Sequence, residues 1–232
     1  AAKAFISVEI AKWINEIGIG LDVCTGGELE VALAAGFPTS KIELHGNNKS
    51  AAEIAKAIEV GVATIVVDSL QELARVSKLA SAMNKVQSIM LRLTPGVEAH
   101  THEAISTAHE DVKFGFSIAS GAAWNAVVAA RSATNLKLKG FHCHIGSQIF
   151  KSEGFELAAD RLISLLAKYR DEFKEELPEL DLGGGYGIAY LENEITLDPI
   201  ETMTHLANVV KKSCAANNLK VPLISIEPGR AI

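Results

Sequence analysis

The sequence predicts an α/β fold, an eight-stranded parallel β/α barrel of the TIM type, from two features of its 232 residues. Short apolar segments alternate with segments of helical periodicity along the chain, as in repeated βα units. Several apolar segments are continuous rather than alternating, as expected of parallel strands that are covered on both faces. A doubly wound sheet would show the same alternation and stays an alternative.

The strands are assigned to the apolar segments. The eight predicted strands lie near Lys3–Ile6, Ile19–Val23, Lys41–His45, Ala63–Val67, Ser88–Leu93, Leu136–His144, Glu179–Leu182 and Leu223–Glu227. No Pro/Ser-rich linker or low-complexity tract separates them, so we expect residues 1–232 to form one domain.

Helices are predicted between these strands from their glycine ends and capping residues. Three segments of helical periodicity end in glycine, which favours a helix C-terminus: AKWINEIG, ELEVALAAG and EIAKAIEVG. Three helix starts carry the Ser/Thr-x-x-Glu pattern of a capping box: Thr25 with Glu28, Ser50 with Glu53, and Ser69 with Glu72.

Composition and charge argue against several classes of protein. A net charge of -6 argues against general binding to nucleic acid or to an anionic membrane, and no apolar run approaches the roughly 18 residues of a membrane span. The three cysteines have no CxxC spacing, which indicates neither disulfides nor a zinc site and favours a reducing cytoplasm. Because the chain starts without Met and stops just after a strand, we expect it to be a piece of a longer protein.

Ionisable residues gather where the predicted strands end. In a β/α barrel the carboxyl ends of the strands and the loops after them form the functional face, so this placement predicts a pocket. The residues concerned are Lys3, Asp22, His45, Arg92, His142, His144, Asp181, Glu227 and Arg230.

Lys3 is the most unusual of these residues, because it lies in the apolar stretch AAKAFI. Its side chain could extend to the barrel mouth and serve only as a solvated charge. A desolvated lysine also loses its proton readily and bonds covalently to aldehydes.

Two glycine-containing motifs indicate an anion site. The motif DLGGGYG contains Gly183–Gly185, which is either a flexible turn or a stretch of bare amides that a ligand can approach. The motif EPGR ends a strand with Glu227 and presents Arg230, either as a surface turn or beside the glycines. Together with Ser147, the glycines and Arg230 would bind a phosphate group.

The histidines leave a second chemistry open. His142 and His144 share one parity of their strand and should point the same way. A metal site would need further ligands, and His100, His102 and His109 lie in a polar loop with no strand to fix them. We therefore predict no metal.

Eight motifs follow one another along the chain: AAKAF, LDVCTGGEL, HGNNKS, GVEAHTH, ISTAHEDVKFG, FHCHIGSQI, DLGGGYG and EPGRAI. In this order they resemble the motifs of the diaminopimelate decarboxylases, pyridoxal-phosphate-dependent enzymes of the alanine-racemase-like barrel class. Ornithine and arginine decarboxylases share the barrel, the glycines and EPGR, whereas HIGSQI and the HTH…KFG loop favour the diaminopimelate enzymes.

The resemblance implies a role for each residue of a pyridoxal 5'-phosphate site. It implies that Lys3 holds the cofactor covalently, that His144 stacks on its ring, and that Glu227 pairs with the ring nitrogen. It also implies that Ser147, Gly183, Gly184 and Gly185 bind the phosphate, while Arg230 lies near the phosphate and the substrate carboxylate. Asp22 and Arg92 would line the site, and His142 receives no role.

The implied reaction is decarboxylation of meso-2,6-diaminopimelate to L-lysine, the last step of lysine biosynthesis. Family members continue into a β-domain that reaches the active site of the neighbouring subunit, so the resemblance implies a homodimer and an inactive isolated fragment. Three alternatives remain: an ornithine or arginine decarboxylase, a non-catalytic protein that binds pyridoxal phosphate, and a metal-dependent hydrolase.

Overall fold

The computed structural model describes residues 1–97, 114–150, 152–191 and 197–231. The chain forms two compact units. The first comprises Ala1–Arg92, Phe114–Phe116 and Gly121–Lys139, and the second comprises Leu93–Lys113, Ser117–Ser120 and Gly140–Ile232.

Helices and strands alternate along most of the chain. The strands are β1 (Leu21–Val23), β2 (Ile42–Leu44), β3 (Thr64–Val67), β4 (Gln87–Thr94), β5 (Phe116–Ser117), β6 (Leu136–Cys143), β7 (Glu179–Asp181) and β8 (Leu223–Ser225). The α-helices are α1 (Val8–Ile17), α2 (Gly26–Ala34), α3 (Ala51–Val60), α4 (Leu70–Ala82), α5 (Ala122–Ser132), α6 (Glu153–Phe173) and α7 (Pro199–Ala216). Two short 3₁₀ turns cover Ala2–Ala4 and Thr39–Lys41.

The first unit contains a parallel sheet in which β1, β2, β3 and β4 are neighbours in chain order. The first half of β6 lies beside β4 in the same unit. All four residues of β3 are buried, which agrees with the continuous apolar pattern predicted for a parallel strand. Ile42, Leu44 and Ile65 are fully buried and form part of the core.

The second unit contains the second half of β6 followed by β7 and β8, again in parallel. Helices α6 and α7 pack against each other. The register places His142 opposite Asp181, and Asp181 opposite Ser225. The carboxyl ends of these three strands therefore lie at one edge, where the sequence predicted functional residues.

Seven of the eight predicted strands are confirmed, and the first is wrong. Ala2–Ala4 forms a 3₁₀ turn closed by a hydrogen bond from the Ala4 N–H to the Ala1 carbonyl oxygen (3.2 Å), and the extended Phe5 that follows belongs to no strand. Apolar residues alone do not make a strand, because a strand also needs a neighbour to pair its backbone groups. Lys3 is consequently exposed rather than enclosed in a strand.

The three predicted helix starts are confirmed, but only one forms the full capping box. Ser50 Oγ accepts from the Glu53 N–H (3.2 Å), and Glu53 Oε2 accepts from the Ser50 N–H (2.9 Å). At the other two helices the glutamate side chain accepts from the N–H of the residue before the cap, Cys24 or Asp68.

We expect Ser50→Ala to lower the free energy of unfolding by about 1 kcal/mol, because an N-cap hydroxyl satisfies an otherwise unpaired N–H. Amide donors, foremost that of Ser50, hold the pKa of Glu53 below its usual value. The stability gained from this carboxylate is therefore present above its unfolded pKa and lost as the pH falls through its folded pKa.

Chemical denaturation at neutral pH would measure this change. Ser40→Ala is a matched control, since Ser40 is exposed and makes no side-chain bond among the described residues. Equal effects of the two substitutions would show that the cap contributes nothing.

None of the described helices is long and apolar enough to cross a membrane.

Candidate active site

The glycine loop after β7 is tied to the ends of β6 and β8. The Gly183 N–H donates to Asp181 Oδ1 (2.7 Å), and the Gly184 N–H donates to His144 Nδ1 (3.2 Å). The Glu227 N–H donates to the Gly183 carbonyl oxygen (2.9 Å). The loop therefore brings together His144, the glycines and Glu227, as predicted from their positions at strand ends.

Backbone packing explains why this loop has three consecutive glycines. A Cβ on Gly183 would lie 2.2 Å from the Cys143 carbonyl oxygen, and one on Gly184 would lie 2.2 Å from that of Glu227. A Cβ on Gly185 would lie 1.9 Å from the Gly146 carbonyl oxygen. A side chain is excluded at all three positions whether or not a ligand is bound.

Two backbone donors of the loop remain available for an anion. Among the residues that the structure describes, the N–H groups of Gly185 and Tyr186 have no protein acceptor. Consecutive N–H groups in a glycine turn form a concave site that suits phosphate oxygens. The phosphate contact of Gly183–Gly185 stays a prediction, and the amides of Gly183 and Gly184 already donate to protein atoms.

Tyr186 is a residue that the sequence reasoning missed. Its ring stacks on Phe155, with ring centroids 4.8 Å apart, and its hydroxyl is buried without a partner among the described residues. Burial, with smaller effects from nearby acidic groups including Asp181, raises the pKa of Tyr186 far above its usual value. The hydroxyl therefore stays protonated and can donate a hydrogen bond.

Ser147 lies in a segment that runs beside the glycine loop. The Ile149 N–H donates to the Gly185 carbonyl oxygen (2.9 Å), and Gln148 Nε2 donates to the Ile188 carbonyl oxygen (3.2 Å). Ser147 itself is exposed. Its placement near the loop agrees with the prediction.

Arg230 lies at the exposed end of the EPGR motif. Its guanidinium Nη1 donates to the Tyr190 hydroxyl. The structure does not bring this guanidinium to the glycine amides, so its phosphate and substrate roles stay predictions.

The side chains of His142 and Glu227 are buried and in close contact. The His142 Nε2 lies 2.7 Å from Glu227 Oε1, and only 2% and 7% of the two side chains are exposed. Strand parity predicted that His142 lies on the same face as His144, but it did not indicate that Glu227 lies beside it.

Three other predicted site residues lie in the first unit. Asp22 is buried at β1. The Arg92 guanidinium lies 3.8 Å from Asp68 Oδ1 and stacks over the Phe114 ring, 4.5 Å from its centroid. Lys3 is exposed, so its predicted role no longer follows from desolvation and depends on the resemblance alone.

Lys49 is the desolvated lysine of the first unit, which the sequence did not reveal. Its Nζ lies 2.6 Å from Glu72 Oε1 and donates to the carbonyl oxygens of Gly46 and Val66. These contacts join the loop after β2 to β3 and to α4. The amine is fully engaged in structural contacts, which makes it a poor nucleophile.

The possible metal ligands His100, His102 and His109 lie outside the described residues.

The described donors and acceptors fit pyridoxal phosphate. The amides of Gly185 and Tyr186 suit its phosphate, and the buried carboxylate of Glu227 suits its ring nitrogen. The Gly184 N–H fixes one nitrogen of the His144 imidazole and thereby orients a flat ring beside the loop. These features make the glycine loop of the second unit a candidate site for a phosphorylated, ring-containing ligand.

A family model described as "Pyridoxal-dependent decarboxylase, pyridoxal binding domain" matches residues 1–232. The chain therefore belongs to the pyridoxal-dependent decarboxylase family. It is similar to diaminopimelate decarboxylases of Mycobacterium leprae (53% identical over 236 residues) and Corynebacterium efficiens (48% over 232 residues). Both matches cover 100% of this chain and 50% of the relative, so the chain spans about half the length of these relatives.

The fold is also that of a solved member of this family. A crystal structure of diaminopimelate decarboxylase from M. jannaschii in co-complex with L-lysine matches with a TM-score of 0.90 and 30% identity. The match covers 99% of this chain and 52% of the other. The predicted TIM-type β/α barrel class is thereby confirmed.

Proposed function

We propose that the protein to which this chain belongs decarboxylates meso-2,6-diaminopimelate to L-lysine with pyridoxal 5'-phosphate. The observation that carries the proposal is the strand-end cluster of His144, the Gly183–Gly185 loop and Glu227 in a chain of the pyridoxal-dependent decarboxylase family. The substrate is proposed from the names of the similar proteins and from the lysine bound to one of them.

When bound, pyridoxal phosphate supplies a conjugated ring that accepts the electron pair left on Cα when carbon dioxide departs. The protein's part is to bind and orient. In the proposal, the amides at Gly185 and Tyr186, with Ser147 and Arg230, hold the phosphate. The His144 imidazole stacks on the ring, and the Glu227 carboxylate keeps a proton at the ring nitrogen.

Lys3, Asp22 and Arg92 complete the proposed site. Lys3 is proposed to hold the cofactor covalently and to move protons at its Nζ. Its exposed amine carries no protein bond among the described residues, in contrast to the engaged amine of Lys49. Arg230 is proposed to bind the substrate carboxylate as well as the phosphate.

The proposal includes a cytoplasmic homodimer in which the neighbouring subunit completes the active site. Size-exclusion chromatography with light scattering of the full-length protein would test the dimer. A monomer with full activity would contradict it.

We expect borohydride reduction of the full-length protein to place a pyridoxyl group on Lys3, because a covalent link to the cofactor aldehyde becomes irreversible on reduction. Peptide mass mapping reads the position directly. Lys3→Ala should lose the label and at least about 10³-fold in turnover. Lys12→Ala, which removes another exposed lysine, should keep both. A label on Lys49 would reject the assignment.

Substrate tests separate the remaining alternatives. Release of carbon dioxide from meso-diaminopimelate, but not from ornithine or arginine, is expected. Preference for ornithine or arginine would correct the substrate. Cofactor binding without turnover would indicate a non-catalytic protein, and zinc-dependent hydrolysis without visible absorbance would reject the cofactor.

A further inference from the structure

The close contact of His142 with Glu227 has no part in the roles proposed so far for the site. His142 lies on β6 with 1% of its surface exposed, and Glu227 follows β8 with 9% exposed. The strand β7 lies between them, and its Asp181 is the register partner of His142. The pair therefore spans the three strand ends that form the glycine site.

His142 Nε2 and Glu227 Oε1 lie 2.7 Å apart, although the structure aligns no hydrogen bond between them. Two lone pairs at this separation would repel each other, so a stable contact needs one atom to donate to the other. A proton between an imidazole and a carboxylate resides mainly on the imidazole, whose ordinary pKa is higher. If the two atoms align, the donor is therefore His142 Nε2 and the acceptor is the Glu227 carboxylate.

Because Glu227 is buried, its contact with His142 affects whether its carboxyl group is ionised. Desolvation alone favours the protonated form of a carboxylic acid, which could not keep a second proton on a ligand nitrogen. A donor at 2.7 Å opposes that effect. It also restricts a side chain that otherwise has several freely rotating bonds.

We propose that His142 is a positioning residue that holds the Glu227 carboxylate ionised and oriented toward the ring nitrogen of pyridoxal phosphate. This inference rests on the function proposed above. His142 acts through Glu227 and does not itself contact the ligand. His144, by contrast, is proposed to stack on the ring of the ligand, and its Nδ1 accepts from the Gly184 N–H.

Two amide substitutions in the full-length protein test the inference. The amide nitrogen of His142→Gln can occupy the place of Nε2 and still donate to Glu227, whereas the shorter side chain of His142→Asn cannot reach it. The two variants are otherwise matched in chemistry. We expect kcat to fall about 10- to 100-fold for Asn and less than about threefold for Gln, with KM little changed, as for loss of a hydrogen bond to a charged group.

A spectroscopic measurement separates positioning from a merely structural role. With cofactor labelled with ¹⁵N at the ring nitrogen, the chemical shift should be that of a protonated ring in the parent protein and in His142→Gln. It should move toward the unprotonated value in His142→Asn and in Glu227→Gln. Adding His142→Asn to Glu227→Gln should change neither the shift nor kcat by more than about twofold, because the residue through which His142 acts is already neutral.

Each outcome of these measurements supports or overturns the positioning role of His142. A protonated ring nitrogen in His142→Asn, or additive losses in the double variant, would overturn the positioning role while leaving the proposed function intact. Absence of bound cofactor in the parent protein would overturn both proposals. If His142→Asn does not fold, His142→Gln remains a test, because a shift equal to that of Glu227→Gln would contradict the role.

Discussion

Replacing Lys49 with Met is expected to lower the free energy of unfolding by about 3 to 5 kcal/mol. The Lys49 Nζ lies 2.6 Å from Glu72 Oε1, and 1% and 6% of the two side chains are exposed. Met fills a similar volume but leaves the buried carboxylate of Glu72 without its opposite charge. The same change removes the bonds from Nζ to the Gly46 and Val66 carbonyl oxygens.

The pH dependence of this loss has a definite sign. Burial already raises the pKa of Glu72, with Lys49 as the main opposing influence. Without Lys49 the folded pKa rises further above the unfolded one, so the folded state binds more protons between the two values. Stability of the Lys49→Met variant should therefore recover as the pH falls toward the ordinary carboxyl range.

Urea denaturation at several pH values would measure the effect. Lys56→Met is the matched control, because Lys56 is 40% exposed and its carboxylate neighbours lie 3.8 and 3.9 Å away. It should cost less than about 1 kcal/mol. The double variant Lys49→Met with Glu72→Gln should recover much of the loss, since no buried charge remains and the amide oxygen can still accept from the Asp68 N–H. A double variant no better than Lys49→Met would mean that the carbonyl contacts of Lys49 dominate.

The sequence predicted those features that depend on residues close together in the chain. Seven strands were found from apolar runs, and the helix starts at Ser50 and Ser69 were found from their caps. The pair of Lys49 and Glu72 was not predicted, because the two residues belong to different βα units and meet only in the folded chain.

In the candidate site, too, the sequence predicted where residues lie but not the contacts between residues far apart in the chain. Strand ends indicated where His144 and Glu227 would lie, and the structure brings both to the glycine loop. The sequence could not assign a neighbour to His142, since its contact with Glu227 joins strands separated by β7. Lys3 was placed in a strand from its apolar neighbours alone, and local composition cannot show whether a pairing strand is present.

The glycine loop was predicted for its ligand, but the structure gives a second reason that can be tested separately. Two effects would destabilise an alanine at Gly185. The backbone φ there is +96°, which a residue with a Cβ adopts at a cost, and the added Cβ would lie 1.9 Å from the Gly146 carbonyl oxygen. Gly18 has a φ of +88° and nothing within 4 Å of an added Cβ, so it carries the first effect alone. Gly184 carries the second alone, with 2.2 Å to the Glu227 carbonyl oxygen and no positive φ.

We therefore expect Gly185→Ala to be the most destabilising of the three substitutions, by roughly 2 to 6 kcal/mol in the free energy of unfolding without cofactor. This range adds about 1–3 kcal/mol for strain to about 1–3 kcal/mol for overpacking. Gly18→Ala should cost only the strain and Gly184→Ala only the overpacking. Denaturation of the cofactor-free full-length protein measures all three. A Gly185→Ala protein as stable as Gly18→Ala would show that the loop can move away from Gly146, and the glycines would then be required by the ligand alone.

If the loss of stability occurs without cofactor, weak cofactor binding by Gly185→Ala is no proof of a phosphate contact, because the loop that presents the Gly185 and Tyr186 amides has itself been displaced.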